Sequence, residues 1–368
     1  MKDILTHVHI ADIHFAAFNP KLQYQILSEQ CFNVIDQIPS IDIISIDGDF
    51  FDHKIMSNSD GSMYACIAME NIVQIARKKN ATIVLIHGTY SHDADQLKLF
   101  YHYLEDPTID IRIVSTIQFE DIKGVRVLCI PELYGLDESV YQKFLHQSGY
   151  YNMAFMHGTF EGAVYGNNVG LGRLFRMEDF DKCMGPIISG HVHTGGCFQT
   201  YFYYCGSPYR WKFGEEEDKG FLIVSQNLVT GEHYTHFQKI ESFRYDTIYL
   251  DELVSNDPKQ IIDYINELKV NRGIDFIKIR FRVPMEGAMK TIINNFYRNS
   301  RDTFVEFLDK EEQQKMEAEK RARSESVYSY LFDQNTSPIE KLVHYINDNE
   351  QDQVISIDQL KEMLGDSI

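Results

Sequence analysis

Five apolar runs in this sequence finish in aspartate or histidine. They end at Asp12-Ile13-His14, Gly48-Asp49-Phe50-Phe51-Asp52, Gly88-Thr89-Tyr90-Ser91-His92-Asp93, Met156-His157-Gly158 and Gly190-His191-Val192-His193. Residues i and i+2 of an extended chain face the same side, so Asp12 with His14, and His191 with His193, can each present two donors together. Gly48 and Gly190 allow a tight backbone turn just before a donor. Asp12, Asp49, His14, His157, His191 and His193 make a mixed oxygen and nitrogen set without thiolate. Such a set suits Mn²⁺, Fe²⁺ or Zn²⁺ and disfavours a structural zinc finger. Six or seven donors exceed the need of one catalytic ion and fit two ions sharing a carboxylate. Two ions about 3.5–4 Å apart suit phosphate-ester hydrolysis, activating a water and neutralising phosphoryl oxygens.

The elements around these residues must bring them together. ILTHVHIAD, IDIISIDGD and TIVLIHG read as buried strands, separated by helical patterns in KLQYQILSEQCFNVID and SMYACIAMENIVQIARKK and followed by one in ADQLKLFYHYLED. Alternation of this kind predicts an α/β layered fold with ligands at the carboxyl ends of strands. IQFEDIKGVRVLCIPEL reads as a hairpin turning at Lys123-Gly124, and YNMAFMHG and GPIISGHVH as two more buried strands. FQTYFYYCGSP, GFLIVSQNL and HYTHFQKI add further strands, which predicts two facing sheets with helices outside. FRYDTIYL, PKQIIDYINELK and DFIKIRFRV form a strand, helix and strand that read as a small α/β capping unit. FLDKEEQQKMEAEKRARSES reads as a solvated helical linker. Ser337-Pro338-Ile339-Glu340 is a capping box opening an amphipathic helix, and Ser356 to Gln359 opens a second. Two such helices cannot make a core alone and must dock on this chain or another.

Composition narrows the class. The chain has 368 residues, enough for about two domains, with 44% hydrophobic and 24% charged residues. That is ordinary globular usage, against a disordered or fibrous chain. No run is long and apolar enough to span a bilayer, and MKDILTHVHIAD lacks a signal-peptide pattern, so no membrane association and a cytoplasmic location are expected. The six cysteines are scattered without CxxC spacing, as buried free thiols in a reducing compartment would be. A formal charge of −19 argues against a general nucleic-acid coat, though not against an enzyme that grips DNA through metals and a partner. Lys54, Arg173, Arg176, Tyr209, Arg210, Trp211 and Lys212 lie near the motifs in sequence and are candidates to touch DNA phosphates and bases, although Trp211 can equally pack in the core. His7 and His9 read as core residues of the first strand, and His53 as a residue lining the site.

The ordered set DxH, GDxxD, a glycine loop ending in HD, a strand-end His and GHxH resembles the calcineurin-like metallophosphoesterases. Cys205-Gly206-Ser207-Pro208 followed by Asp218-Lys219-Gly220-Phe221 is similar to the region after GHxH in SbcD-type DNA repair exonuclease subunits. The resemblance implies the two-sheet sandwich of that family. It implies a nuclease domain at 1–242, a capping and DNA-binding domain at 243–300, a charged linker at 301–326 and partner-docking helices at 327–368. It assigns Asp12, His14, Asp49 and His193 to a first ion and makes Asp49 the bridge to a second, completed by His157 and His191. His92 becomes the non-ligand histidine at the scissile phosphate, and Asp52 the residue that hydrogen-bonds it and raises its basicity. The family carries Asn just before that histidine as a ligand of the second ion. Ser91 stands there in this chain, in a longer loop, so Ser91, a water, Thr89 or His87 must fill the position and a weaker second ion is expected.

The activity implied is a Mn²⁺-dependent nuclease, 3′–5′ exonuclease on duplex ends and endonuclease on single strands and hairpins. Mg²⁺, Fe²⁺ or Zn²⁺ are the alternatives as the metal. The partners implied are DNA, an SbcC-type coiled-coil ATPase held by the C-terminal helices, and a second copy of the chain. The helix bearing Met63, Cys66, Ile67, Met69, Val73 and Ala76 has an apolar face wider than one sheet contact needs, in the region where the family pairs. Two other readings share the residues: a phosphomonoesterase using the same metals, and a scaffold subunit with a weakened second metal position.

Overall fold

A computed structural model describes residues 3–133, 136–146, 148–163, 173–210, 212–215 and 217–308. Trp211, the helices expected at 327–368 and the expected linker beyond 308 lie outside the described residues. Strands β1 (Ile4–Ile10), β2 (Ile43–Asp47), β3 (Thr82–Ile86) and β4 (Asp110–Val114) alternate with helices. These are α1 (Pro20–Ile26), continuing through a π-helical turn at Leu27–Phe32 into α2 (Asn33–Gln37), then α3 (Asp60–Lys79) and the short α4 (Tyr90–Asp93), with a 3₁₀ stretch at Gln96–Glu105. The hairpin β5 (Gln118–Ile122) and β6 (Val125–Ile130) leads to α5 (Glu138–Leu145), β7 (Met153–His157), β8 (Thr159–Phe160) and β9 (Leu174–Phe175). β10 (Ile187–Gly190), β11 (Gly196–Gln199), β12 (Phe202–Tyr204), β13 (Lys219–Asn227) and β14 (His233–Ile240) follow.

These strands build a mixed α/β fold. One six-stranded sheet has the order β14-β13-β1-β2-β3-β4, and another the order β11-β12-β10-β7-β6-β5. β1 to β4 run parallel, as do β6, β7, β10 and β12, while the outer strands are antiparallel. Side-chain alternation explains why the inner strands read as unbroken apolar runs. In β3, Ile83 and Leu85 pack with Met69, Ile72 and Val73 of α3, whereas Val84 and Ile86 share a core with Cys129, Phe155 and Ile188 of the other sheet. Each such burial contributes about 1.5–3 kcal/mol. The far face of the second sheet is covered by Tyr141, Leu145, Phe175 and Phe180.

α3 is set by its ends. The Ser59 hydroxyl accepts from Ser62 N at 3.2 Å, and Asn80 closes the helix in the left-handed region. Its wide apolar face divides in two: Met69, Val73 and Ala76 are buried, while Met63, Cys66 and Ile67 are exposed.

A second compact unit comprises, among the described residues, Thr247–Arg272 and 277–308, with Gly273–Phe276 grouped with the first. Here β15 (Tyr245–Leu250), α6 (Pro258–Asn271), β16 (Phe276–Phe281), α7 (Gly287–Tyr297) and β17 (Thr303–Phe307) follow in order, and the sheet runs β15-β16-β17. Ile261, Ile265, Ile277, Ile279, Phe281 and Ile293 are its buried core. The stretch expected to begin a linker at 301 therefore opens with a strand, because β17 pairs in parallel with β16.

Candidate metal centre

The donors sit where strands stop. Asp12 and His14 follow β1, Asp49 follows β2, His157 closes β7, and His191 and His193 follow β10. The turns after β1 and β2 are zipped together by Asp12 N to Gly48 O (3.1 Å), His14 N to Asp49 O (3.0 Å) and Phe15 N to Phe50 O (2.9 Å). Asp12, His14, Asp49 and His191 all have positive φ, at 52°, 48°, 51° and 82°. Left-handed non-glycine residues cost on the order of 1–3 kcal/mol each and gather at functional sites. Gly48 and Gly190 are required for closeness: a Cβ on either would overlap the His157 ring or the Asp47 carbonyl.

Four groups of donors among the described residues have ligand atoms within 4.8 Å of one another. Asp12, His14 and His193 form one and Asp49, His157 and His191 another; His14, Asp49 and His92 span these two, and His9, Asp47 and Cys205 form the last. His14 Nε2 lies 3.2 Å from His193 Nε2 and 3.8 Å from Asp49 Oδ2. Asp49 Oδ2 is 3.3 Å from His157 Nε2, which is 3.3 Å from His191 Nδ1. Asp49 thus stands between the first two groups. Four donors bound at about 2.0–2.2 Å around one tetrahedral ion lie about 3.4 Å apart, so these spacings fit. The outward nitrogens fit too. His193 Nδ1 meets Glu215 Oε1 at 3.1 Å, His157 Nδ1 meets the Asp47 carbonyl at 2.8 Å, and His14 Nδ1 faces Asp52 Oδ1 at 3.5 Å. An oxygen behind each imidazole is the arrangement that orients metal-binding histidines.

The electrostatics show a demand for positive charge. Burial pushes the Asp12 carboxyl up to about 7. Burial also opposes ionisation of Asp49, but the imidazoles of His157, His14 and His92 outweigh it and hold that carboxyl well below its usual range. Against the same burial, Asp49, Asp12 and Glu132 raise His157 well above an ordinary imidazole, and Asp52 and Asp49 raise His14. His191, depressed by burial and by His157, falls to about 4, and His193, depressed by burial, falls to about 3.

Several expected residues are placed differently. Ser91 is exposed on α4 and belongs to none of these donor groups. His87 spends both ring nitrogens on backbone carbonyls, Gly88 O at 2.9 Å and Ala94 O at 2.5 Å. His92 Nδ1 pairs with the Asp52 backbone carbonyl rather than its carboxylate, which turns instead to His14 and, at 2.9 Å, to His53. Tyr209 is fully buried and cannot stack on a base; its hydroxyl donates to Ile13 O (2.5 Å) and accepts from Gln23 Nε2 (2.9 Å), bracing the turn that carries Asp12 and His14. Arg173 is clamped by Asp179 and Glu138 at 2.8 and 2.9 Å. Arg176 pairs with Glu161, Arg210 reaches the Glu217 carbonyl at 3.0 Å, and Lys54 and Lys212 are exposed. His7 and His9 are core residues, His9 held at 2.7 Å by Asp47, whose carbonyl supports His157.

Glu132 and Glu215 escaped the sequence, and Thr89, weighed there as a possible ligand, takes its place beside them with Asp93 and Lys219. Glu132 follows β6 and reaches within 3.4 Å of His191 Nδ1 and 3.7 Å of His157 Nε2. Thr89 Oγ1 donates to Glu132 Oε2 at 2.7 Å, and Thr89 N donates to Asp49 Oδ1 at 2.6 Å. Glu215 and buried Lys219 back His193, and Asp93 accepts from the backbone of Asp49, Phe51 and Gly88 at 2.8–3.1 Å. VRVLCI running into Pro131-Glu132 is an apolar run ending in an acid, the signal that marked the other donors. Beside Glu132 opens a cavity of about 480 Å³ lined by Tyr90, Leu97, Tyr101 and Leu133 among others.

No protein-family model matches the chain, and no curated protein matches it. Among solved structures, one shares 11% identity over 64% of this chain and all of its own length, with a TM-score of 0.40. The protein of unknown function AQ665 from Aquifex aeolicus shares 16% identity over 43% of this chain and 82% of its own, with a TM-score of 0.22. Likenesses this slight bear on neither fold nor function.

Proposed function

We propose that this chain is a two-metal phosphodiesterase acting on DNA, the nuclease subunit of an SbcD-type metallophosphoesterase complex with a sandwich core of that family. The carrying observation is buried Asp49, whose Oδ2 lies 3.3 Å from His157 Nε2 of one donor group and 3.8 Å from His14 Nε2 of the other, where a bridging carboxylate would stand. Asp12, His14 and His193 would hold one ion with Asp49, and His157 and His191 the other. Two bound divalent cations, taken as Mn²⁺ from the resemblance, would supply an activated water and neutralise phosphoryl charge. His92, its ring centroid 4.7 Å from that of His14, protonates the leaving oxygen, and the Asp52 carbonyl fixes its tautomer. The cavity beside Glu132 offers Tyr90 and Tyr101, both exposed, as faces for a base flanking the cleaved phosphate. An SbcC-type ATPase supplies basic surface that a chain of charge −19 lacks, and a second copy packs on the exposed Met63 and Ile67 of α3.

The test uses the full chain with Mn²⁺ on labelled linear duplex, hairpin DNA and a chromogenic phosphomonoester. Shortening from 3′ ends and hairpin nicking, both stopped by chelation, are expected. Hydrolysis of the monoester alone would make the chain a phosphomonoesterase, and no hydrolysis of any of them a scaffold.

A further inference from the structure

We infer that Glu132 is the oxygen ligand completing the second metal position, with Thr89 as the residue that positions it. This rests on the two-metal reading above and deepens it. Ser91 is exposed, whereas the donors it would have to join are buried or nearly so. Glu132 is only 9% exposed. Its Oε2 lies 3.4 Å from His191 Nδ1 and 3.7 Å from His157 Nε2, and those two nitrogens are 3.3 Å apart. The three atoms therefore outline one coordination face, with Asp49 Oδ2, 3.3 Å from His157 Nε2, as the fourth corner.

The loop is built for this. Thr89 Oγ1 sits 2.7 Å from Glu132 Oε2 and 3.2 Å from Asp49 Oδ2, holding the two carboxylates apart at the pocket edge. The backbone ties the same parts, with Glu132 N donating to His87 O at 3.3 Å. A carboxylate at the end of β6, in the other sheet, thus does what a side chain beside His92 would otherwise do. The chemical consequence is charge: a neutral amide or hydroxyl leaves the second ion with one anionic donor, whereas Glu132 gives it two. A set of two carboxylates and two imidazoles holds Mn²⁺, Fe²⁺ or Zn²⁺ firmly.

Calorimetric Mn²⁺ titration of the full chain tests the assignment, with electron paramagnetic resonance reporting whether the two Mn²⁺ are coupled. Wild type is expected to take two ions with a coupled signal. Glu132→Gln is expected to keep the first ion, weaken the second by about 100-fold or more, and leave only uncoupled Mn²⁺; loss of an outer partner alone costs about 10–100-fold. Ser91→Ala is expected to change neither ion. If Glu132→Gln does not fold, judged by circular dichroism, Glu132→Ala carries the same reading. A smaller loss in the Glu132 variant, or loss of the second ion in Ser91→Ala, overturns the role of Glu132 while leaving the two-metal centre standing. A wild type that never takes a second ion sinks the centre itself.

Discussion

His92 and Asp52 show how one residue offers two different groups. The tight turn after Asp49 presents the Asp52 carbonyl to His92 Nδ1 and swings the carboxylate to His14. His92 Nδ1 must carry its hydrogen to serve that carbonyl, so Nε2 is the atom left to exchange a proton with a substrate. His92→Asn is expected to lower DNA hydrolysis by roughly 10²–10⁴-fold, the usual worth of a general acid, while Mn²⁺ stoichiometry stays at the wild-type value. Because His92 also lies close to His14 and Asp49, loss of an ion in the variant would make it a ligand and remove the proton-transfer role. Asp52→Asn, in contrast, acts on His14, so its effect is expected in affinity for the first ion rather than in the catalytic step.

At the scale of elements, the centre depends on strand ends approaching more closely than side chains allow. Gly190 lies where β10 of one sheet and β2 of the other finish close together, and a methyl there would collide with the Asp47 carbonyl and crowd the His157 ring. Backbone cannot retreat as a flexible side chain can, so Gly190→Ala is expected to destabilise the chain by about 2–3 kcal/mol in urea unfolding and to weaken Mn²⁺ binding. Gly287, at the start of α7, has nothing within 4 Å of such a methyl, and Gly287→Ala is expected within about 0.5 kcal/mol of wild type. Equal effects would refute the steric account. The same level explains what the sequence disclosed. Asp12, Asp49 and His157 were legible because a buried strand is an apolar run and the first charged residue after it marks its end. Glu132 marked an end just as plainly, but its strand read as the closing arm of a hairpin, with no reason to place that arm beside β7. Tyr209 among basic residues reads alike whether it faces DNA or the core; only its hydroxyl partners, Ile13 and Gln23, distant in sequence, decide. β17 is short and set in charged sequence, and only its pairing with β16 makes it a strand.

For the molecule as a whole, a layer of buried histidine between the sheets makes acid its weakness. His7 is fully buried, tilted against Phe155 with ring centroids 5.6 Å apart, and bonded to His9 at 2.6 Å. Its Nε2 has no hydrogen-bond partner among the described residues. Burial, reinforced by His9 and His233, holds its pKa well below the ordinary 6.5. The sign follows from where the proton goes: below pH 6.5 the unfolded chain binds a proton at His7 that the folded chain refuses. The stabilisation present above that pH is therefore lost as pH falls, at about 1.4 kcal/mol per pH unit, until the folded pKa is reached. His191 and His193 are depressed in the same direction, while Asp12, raised to about 7, works the other way in this window, so the test is a difference. His7→Gln keeps a donor toward His9 without a titrating ring. Chemical denaturation of the metal-free chain between pH 7.5 and about 5 should show the variant's stability falling more gently than wild type by about 1.4 kcal/mol per pH unit. Parallel curves would mean that His7 gains its proton in the folded state, and that the inter-sheet core admits charge where its burial says it does not.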